Sequence, residues 1–174
     1  MWAAIRGVAR RSAPGVRHSS FILPPSSFPP PLTPLPARGK ILRIEGDYAV
    51  FNPAGTTYEI HLLYPKGKAP TPSDRQTSVV IRATARKVWT VPSGGNFLTP
   101  IFGPPKIAQG RTKDLSDRQM ILHAGVPIVV TLPTSEDAYD LQKGPLTVPG
   151  LVNCTLMPGA TIEVVEEPVS ASPL

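Results

Sequence analysis

Short runs of alternating hydrophobic and polar residues make up most of this chain. KILRI and DYAVF are two such runs, and a turn sequence at 52–55, Asn-Pro-Ala-Gly, leads from them into a third, TTYEIHLL. In the third run Ile60 and Leu62 occupy one side of the predicted strand, while Glu59 and His61 occupy the other. The three runs therefore predict a three-stranded meander.

The segment QGRTKDLSDRQMILHAGVPIVVTLP repeats this plan. The alignment, in chain order, sets Gly39 on Gly110, Ile44 on Leu115, Val50 on Ile121, Ile60 on Val129 or Val130, and Leu62 on Leu132. One residue is lost in the second copy, near its second turn. Two interpretations stay open: an internal duplication, or the same physical solution reached twice. A lone meander is marginally stable, so each copy needs later strands to complete its core.

Those later strands are visible in the pattern. Residues 78–91, SVVIRATARKVWTV, begin with clear alternation and predict one long strand. LVNCTLM and TIEVVEE, joined by Pro158-Gly159-Ala160, predict a hairpin. Between the second meander and this hairpin, residues 134–141 begin with a capping residue and early acids, which predicts one short helix.

Together these elements predict an all-β protein of two related three-stranded meander units, forming small OB- or SH3-like barrels packed together. The first unit and a crossing cover residues 39–106, and the second unit covers residues 107–174. A single closed barrel or sandwich of eight or nine strands is the alternative. No run approaches the roughly 18 consecutive apolar residues of a membrane-spanning helix, so we expect a protein without a membrane span.

Residues 1–38 have a different character and are excluded from the predicted fold. They are basic, and FILPPSSFPPPLTPLPARG places many prolines where neither a helix nor a central strand is sustained. Three interpretations compete: a cleaved mitochondrial presequence in residues 1–20, a disordered basic tail, or a translated stretch upstream of the true start.

The positive charge of the protein belongs mainly to this tail. The formal net charge is +6, and residues 1–40 contain basic residues but no acidic ones. Within the remainder, basic residues concentrate between residues 66 and 118, and acidic residues between 119 and 174. This asymmetry suits an anionic partner, although a solvated basic face has the same composition.

The sequence carries no enzyme signature that we recognise. His61 stands one strand step from Glu59, which suggests either a catalytic or metal-binding pair or a surface histidine beside a carboxylate. His123 precedes a turn and is expected to form hydrogen bonds there. Cys154, the single cysteine, alternates with apolar residues and is expected to be buried. We therefore expect no catalytic role, no cofactor and no metal.

The stretch KVWTVPSGGNFLTPIFGPPKIAQGR, which joins the long strand to the second meander, is the best candidate for a binding surface. Its aromatic residues interleave with basic ones, as single-stranded nucleic acid requires for base stacking and phosphate contact. The candidate residues are Arg82, Arg86, Lys87, Trp89, Phe97, Lys106 and Arg111. The alternative interpretation is that the apolar residues merely anchor a long crossing.

Two resemblances bear on the fold. GKILRIEGDYAVFNPAGTTYEIHL resembles the opening strands of the OB-type barrel in the Holliday-junction-binding protein of the bacterial branch-migration machinery, through Gly55, Tyr58, Glu59 and Ile60. The helix-hairpin-helix elements with which that family contacts DNA are missing. Residues 39–166, including ARKVWTVPSGGNF and LHAGVPIVV, are similar to small β proteins of planctomycete-type bacteria without an established activity. That resemblance implies a bacterial cytosolic protein and opposes the presequence interpretation.

We expect a non-enzymatic binding or structural module. One hypothesis is a binder of nucleic acid or another polyanion, whose affinity falls steeply with salt. The other is a module for protein interaction, whose partner meets sheet edges or the proline-rich crossing with little salt dependence. The expected location is the bacterial cytoplasm, or the mitochondrial matrix if residues 1–20 are a presequence. The sequence leaves the oligomeric state open.

Overall fold

The computed structural model describes residues 32–166, and nearly all regular structure within them is β. The twelve described strands, in chain order, are β1 (Ala37–Glu45), β2 (Tyr48–Pro53), β3 (Glu59–Leu63), β4 (Ser73–Thr90), β5 (Phe97–Thr99), β6 (Phe102–Gly103), β7 (Ile107–Leu115), β8 (Gln119–His123), β9 (Pro127–Thr131), β10 (Tyr139–Asp140), β11 (Leu151–Leu156) and β12 (Thr161–Val164). The prediction of an all-β protein is confirmed. Most of the predicted N-terminal tail lies outside the described residues, but Ala37 already begins β1 and is buried.

The strand pairings close two rings that share β4. The first ring runs through β1, β2, β3, β12 and the N-terminal half of β4, which pairs again with β1. The second ring runs through β7, β8, β9, the C-terminal half of β4 and β11, which pairs again with β7. All the described strands are thereby joined into one hydrogen-bonded sheet. The predicted division at residue 106 stays a prediction, because β4 contributes to both rings.

The length of β4 is what allows one strand to serve both rings. Its residues from Ile81 to Ala85 alternate between buried and exposed, and Val88 and Thr90 are again buried. Between these stretches Arg86 and Lys87 are both exposed, opposite a register shift in β11. This β-bulge resets the alternation, so that the same strand keeps an apolar inner face in the second ring.

The predicted hairpin of β11 and β12 is wrong. The two strands do not pair with each other; both pair antiparallel with β4, β11 along its C-terminal half and β12 further back. The segment between them continues along β4 in the same direction. The Met157 amide donates to the Thr84 carbonyl at 2.8 Å, and the Leu63 amide donates to the Ala160 carbonyl at 2.9 Å. Pro158 and Gly159 therefore interrupt one long path instead of reversing it.

The two meanders share one pairing register over their first two strands. A shift of 71 positions carries the pair Lys40 and Asn52 onto the pair Arg111 and His123, and it also carries the β-bulge of β1 onto that of β7. The predicted alignment fails at the third strand. There the pairing sets Ile60 on Ile128 rather than on Val129 or Val130, so the second copy is shorter by three residues.

The interiors of both rings contribute to one hydrophobic core. Inward-facing residues of β2 and β3, such as Phe51 and Leu62, are fully buried in the first ring, and Leu122 and Val130 are fully buried in the second. Burial of such side chains stabilises a fold by about 1.5–3 kcal/mol each. The core therefore follows the alternation that the sequence displays.

The predicted short helix over residues 134–141 is reduced to a 3-10 helix at Glu136–Ala138, followed directly by β10. No side chain caps it, and Tyr139 leaves the helical conformation to pair with β4. Among the described residues, no helix is long and apolar enough to cross a membrane.

Cys154 is fully buried on β11, as the sequence predicts, and burial raises the pKa of its thiol from 9.0 to about 12. Because only the thiolate reacts with iodoacetamide, about one molecule in 10⁴ is reactive at pH 8. We expect no alkylation of the native protein within hours and rapid alkylation in urea, measured by mass spectrometry. Rapid labelling without denaturant would contradict the burial.

The pKa of the Cys154 thiol is higher in the folded protein than in the unfolded chain. The contribution of this thiol to the free energy of unfolding is therefore complete below pH 9 and declines between pH 9 and 12.

Candidate nucleic-acid interface

Three strands of the second ring, with β10 and β5 paired beside them, present one outward row of side chains. The row follows the strand register through Asp140, Trp89, Asn153, Gln109 and Phe97. The adjacent positions on four of these strands are buried, which shows that the row itself points outward. We call the outer side of β10, β4, β11, β7 and β5 the Trp89 face. Trp89 and Phe97 are three strand spacings apart on it, about 14 Å.

The structure brings four of the predicted site residues onto the Trp89 face. Trp89 and Phe97 are half-buried, with their remaining surface open to solvent. Lys87 lies two positions before Trp89 on β4, and Arg111 lies two positions after Gln109 on β7, so both point to the same side and both are exposed. The face thus combines two aromatic side chains with two cations.

Three predicted residues lie at the border of the face or away from it. Arg86 occupies the β-bulge and is exposed beside Lys87. Lys106 is exposed just before β7, where its main chain bonds to Thr99 and Leu156. Arg82 lies about 23 Å along β4 from Trp89, and its Nε is 3.8 Å from the Glu163 carboxylate of β12. Arg82 is therefore not part of the candidate site.

The loop at 92–96 crosses the middle of the Trp89 face. The Gln109 side chain donates from Nε2 to the Gly95 carbonyl at 3.0 Å. Gly94 has φ of +146°, and a Cβ there would lie 2.2 Å from that same Nε2. The loop is thus fixed to the sheet by a polar contact and by a glycine that admits it, which supports the anchoring interpretation for this part of the crossing.

A shallow cavity of about 230 Å³ opens beside Trp89 and is lined by Lys87, Trp89, Asp140 and Thr155. A larger cavity of about 750 Å³ lies in the first ring, near Ile41, Ile162 and the loop that follows β3. The larger one contains none of the predicted site residues and no aromatic side chain. We place the candidate site at the smaller cavity, because an aromatic ring, a cation and hydrogen-bonding groups converge there.

The sequence-predicted pair of His61 and Glu59 does not form. Glu59 instead accepts a hydrogen bond from Arg43 Nη1 at 2.8 Å, and His61 Nδ1 lies 3.9 Å from Glu45. Arg43 also donates to Glu45, and this contact lowers the pKa of that carboxyl group. Within residues 32–166, no three His, Cys, Asp or Glu side chains are arranged to hold a metal ion. This cluster is a surface ion-pair network.

Sequence analysis missed three residues of the Trp89 face: Asn153, Gln109 and Asp140. In LVNCTLM, Asn153 and the apolar Cys154 are neighbours and so face opposite sides of the strand. The sequence therefore predicts that Asn153 points outward. The sequence does not predict that Asn153 lies beside Trp89, because Trp89 belongs to a strand distant in the sequence. Only the register of β11 against β4 and β7 unites the three residues.

Comparison of this chain with protein-family models, with curated proteins and with solved structures finds no match in any of the three. The two resemblances noted from the sequence stay predictions.

Proposed function

We propose that this protein is a non-enzymatic module of two related five-stranded barrels that binds single-stranded nucleic acid on the Trp89 face. The observation that carries the proposal is the strand register, which places Lys87, Trp89, Phe97 and Arg111 on one outward surface. These residues come from three strands, β4, β5 and β7, that are separate segments of the sequence.

The relation between the two barrels is supported by their common register. The same shift of 71 positions relates Gly39 to Gly110, and the carbonyls that crowd them are those of Asn52 and His123, which the same shift relates. Duplication of an ancestral meander unit accounts for both coincidences at once. Each meander is followed by strands that belong to both rings. After the first meander this is β4, and after the second it is β11, in the second ring, with β12, in the first.

The chemistry of the face suits a single strand of nucleic acid. Every base has a flat π surface that can stack on Trp89 or Phe97, so stacking tolerates any sequence. Lys87 and Arg111 lie on either side of the row that joins these rings, and each can bind a phosphate. Arg86 adds a third exposed cation at the border.

A protein partner is the second candidate. Ile101 and Phe102 are 48% and 63% exposed at the edge strand β6, in the proline-rich crossing. Two adjacent apolar side chains so exposed are suited to an apolar pocket on another protein. Binding there would depend little on salt, which separates this candidate from the first.

The binding test uses the full chain and a fluorescently labelled single-stranded DNA of about 12 nucleotides. We expect Trp89→Ala to weaken binding by about 5- to 150-fold, because base stacking on an aromatic ring is worth about 1–3 kcal/mol. We also expect Lys87→Ala to reduce the slope of log affinity against log salt by about 0.7, the value for one phosphate contact to a single strand. Fluorescence anisotropy at several salt concentrations measures both.

Arg82→Ala is the matched control, because it removes a cation from the same strand away from the face. It leaves the basic N-terminal tail unchanged, as do the two test variants, so tail binding cannot explain a difference among them. If Arg82→Ala and Lys87→Ala behave alike, the charge effect is unspecific. If Trp89→Ala binds as the parent does, the Trp89 face is not the site, and the protein-partner candidate takes its place.

A further inference from the structure

Two side-chain amides on the Trp89 face form a chain whose orientation is fixed at one end. The Gly95 carbonyl can only accept a hydrogen bond, so the Gln109 group facing it at 3.0 Å is its NH₂. The Gln109 oxygen Oε1 therefore faces Asn153 and accepts from its Nδ2 at 2.9 Å. This order leaves Asn153 with its oxygen, Oδ1, at the free end.

Asn153 Oδ1 is buried and has no hydrogen-bond partner. Within residues 32–166, it is the one buried side-chain nitrogen or oxygen atom without a partner. An unpaired buried acceptor is costly, and folded proteins keep few of them. The cost is not relieved by flipping the amide, because a flip would set two oxygens or two NH₂ groups against each other. The atom is thus an unused acceptor held in a fixed direction.

The unused acceptor belongs to the cross-strand neighbour of Trp89, and Trp89 lines the shallow cavity. Asn153 pairs directly with Trp89 across the strands, and Thr155, two positions along β11 on the same side, lines the cavity with Trp89. At about 230 Å³, the cavity is smaller than the roughly 300–1,000 Å³ pockets that hold drug-sized ligands. A single planar ring suits it better than a larger molecule.

We propose that Asn153 Oδ1 accepts a hydrogen bond from the exocyclic amine of a nucleobase stacked on Trp89, so that the face prefers bases that carry an amine. The inference rests on the proposed function. Oδ1 is buried in the free protein, so the proposal requires Trp89, the cross-strand neighbour of Asn153, to shift as the base enters. The Asp140 carboxylate supplies a second acceptor at the cavity, and Lys87 supplies a cation for the adjoining phosphate.

Cytosine and uracil are the sharpest pair of probes. They have the same ring and nearly the same shape, but cytosine has an amine donor at position 4 where uracil has an oxygen acceptor. An oxygen at that position would meet Asn153 Oδ1 with no proton between them. The amine would satisfy the unused acceptor. The two bases also differ at N3, which accepts a hydrogen bond in cytosine and donates one in uracil, so the Asn153 variant is needed to assign a preference to this acceptor.

The experiment measures the anisotropy of labelled oligo-deoxycytidine and oligo-deoxyuridine, each of about 12 nucleotides, with the full chain at low salt. We expect oligo-deoxycytidine to bind about tenfold more tightly, the factor that one additional hydrogen bond to a buried acceptor provides. Asn153→Leu should abolish this preference while oligo-deoxyuridine still binds. Arg82→Ala is the control, since Arg82 lies on β4 beside Glu163, away from the cavity, and it should keep the preference.

The outcomes separate this inference from the proposed function. Equal binding of the two oligomers, or a preference that survives Asn153→Leu, would overturn the inference and leave the proposed function standing. Failure of both oligomers to bind would overturn both. Circular dichroism melting of each variant verifies that it is folded, and Asn153→Ser replaces Asn153→Leu if the larger apolar side chain prevents folding.

Discussion

Gly110→Ala is expected to destabilise this protein severely. A Cβ at residue 110 would lie 2.1 Å from the His123 carbonyl oxygen and 2.9 Å from Ala124 Cα, both of which are main-chain atoms. Main-chain atoms in a paired strand cannot turn away as a side chain can, so β8 itself would have to move. Overpacking of a core ordinarily costs about 1–3 kcal/mol, and here we expect about 3 kcal/mol or more. Urea unfolding followed by circular dichroism measures the loss.

Gly39→Ala should behave in the same way, because its Cβ would lie 2.2 Å from the Asn52 carbonyl oxygen. Gly95→Ala is the matched control. That position has no heavy atom within 4 Å of the added methyl group and no positive φ, so its free energy of unfolding should change by no more than about 0.5 kcal/mol. Equal stability of all three variants would show that β1 and β7 do not approach their partners as closely as described.

Ending the chain after Met157 is expected to open the first ring, although the residues removed come last in the sequence. β12 lies between β3 and the N-terminal half of β4, and no other described strand connects those two in the first ring. We expect hydrogen exchange to show lost protection in β3 and in residues 79–82, with more protection left in the second ring. Full protection of β3 in the shortened chain would contradict the ring.

A point substitution tests the same strand if the shortened chain does not fold. Ile162 is 2% exposed in the core of the first ring, and Ile162→Ala should cost about 2–5 kcal/mol. Val164, two positions along the same side of β12, is 40% exposed. Val164→Ala should therefore cost about 0.5 kcal/mol or less. If both substitutions cost the same, β12 does not close the first ring.

The closed rings bear directly on the proposed function. The central strands of the Trp89 face, β4, β11 and β7, have no free edge, so a nucleic acid strand lying over them would meet side chains rather than unpaired main-chain groups. Trp89 is held by pairing on both sides of β4, and Phe97 is held by the pairing of β5 with β7. A rigid platform of this kind needs little reorganisation when a ligand binds.

The sequence predicts the aromatic and basic residues of the candidate site but not its amide and carboxylate residues. Trp89 and Phe97 attract attention because aromatic residues are scarce in this chain, and Lys87 and Arg111 attract it as cations nearby. The same pattern predicts Arg82 as a site residue, yet Arg82 lies far along β4 beside Glu163. Proximity in sequence does not distinguish these cases, because a strand of 18 residues carries its two ends about 56 Å apart.

Most individual strands, and their buried sides, were determined by the sequence itself. Alternation is a local property: when Ile60 and Leu62 face the interior, Glu59 and His61 must face the other way. The same local rule misled at Pro158 and Gly159, which resemble a hairpin turn but interrupt a continuous path. Pairing of Met157 with Thr84 and of Leu63 with Ala160 decided that direction, and no local pattern contains it.

The choice of partners for each strand was decided only by the tertiary structure. β4 pairs with β1, β9, β10, β11 and β12, and these partners lie on both sides of it in the sequence. Each pairing depends on whether distant side chains fill the same interior, which is a property of the assembled core. For that reason the chain by itself determined an all-β fold and its apolar faces, while the sharing of β4 and the row from Asp140 to Phe97 emerged only when the rings closed.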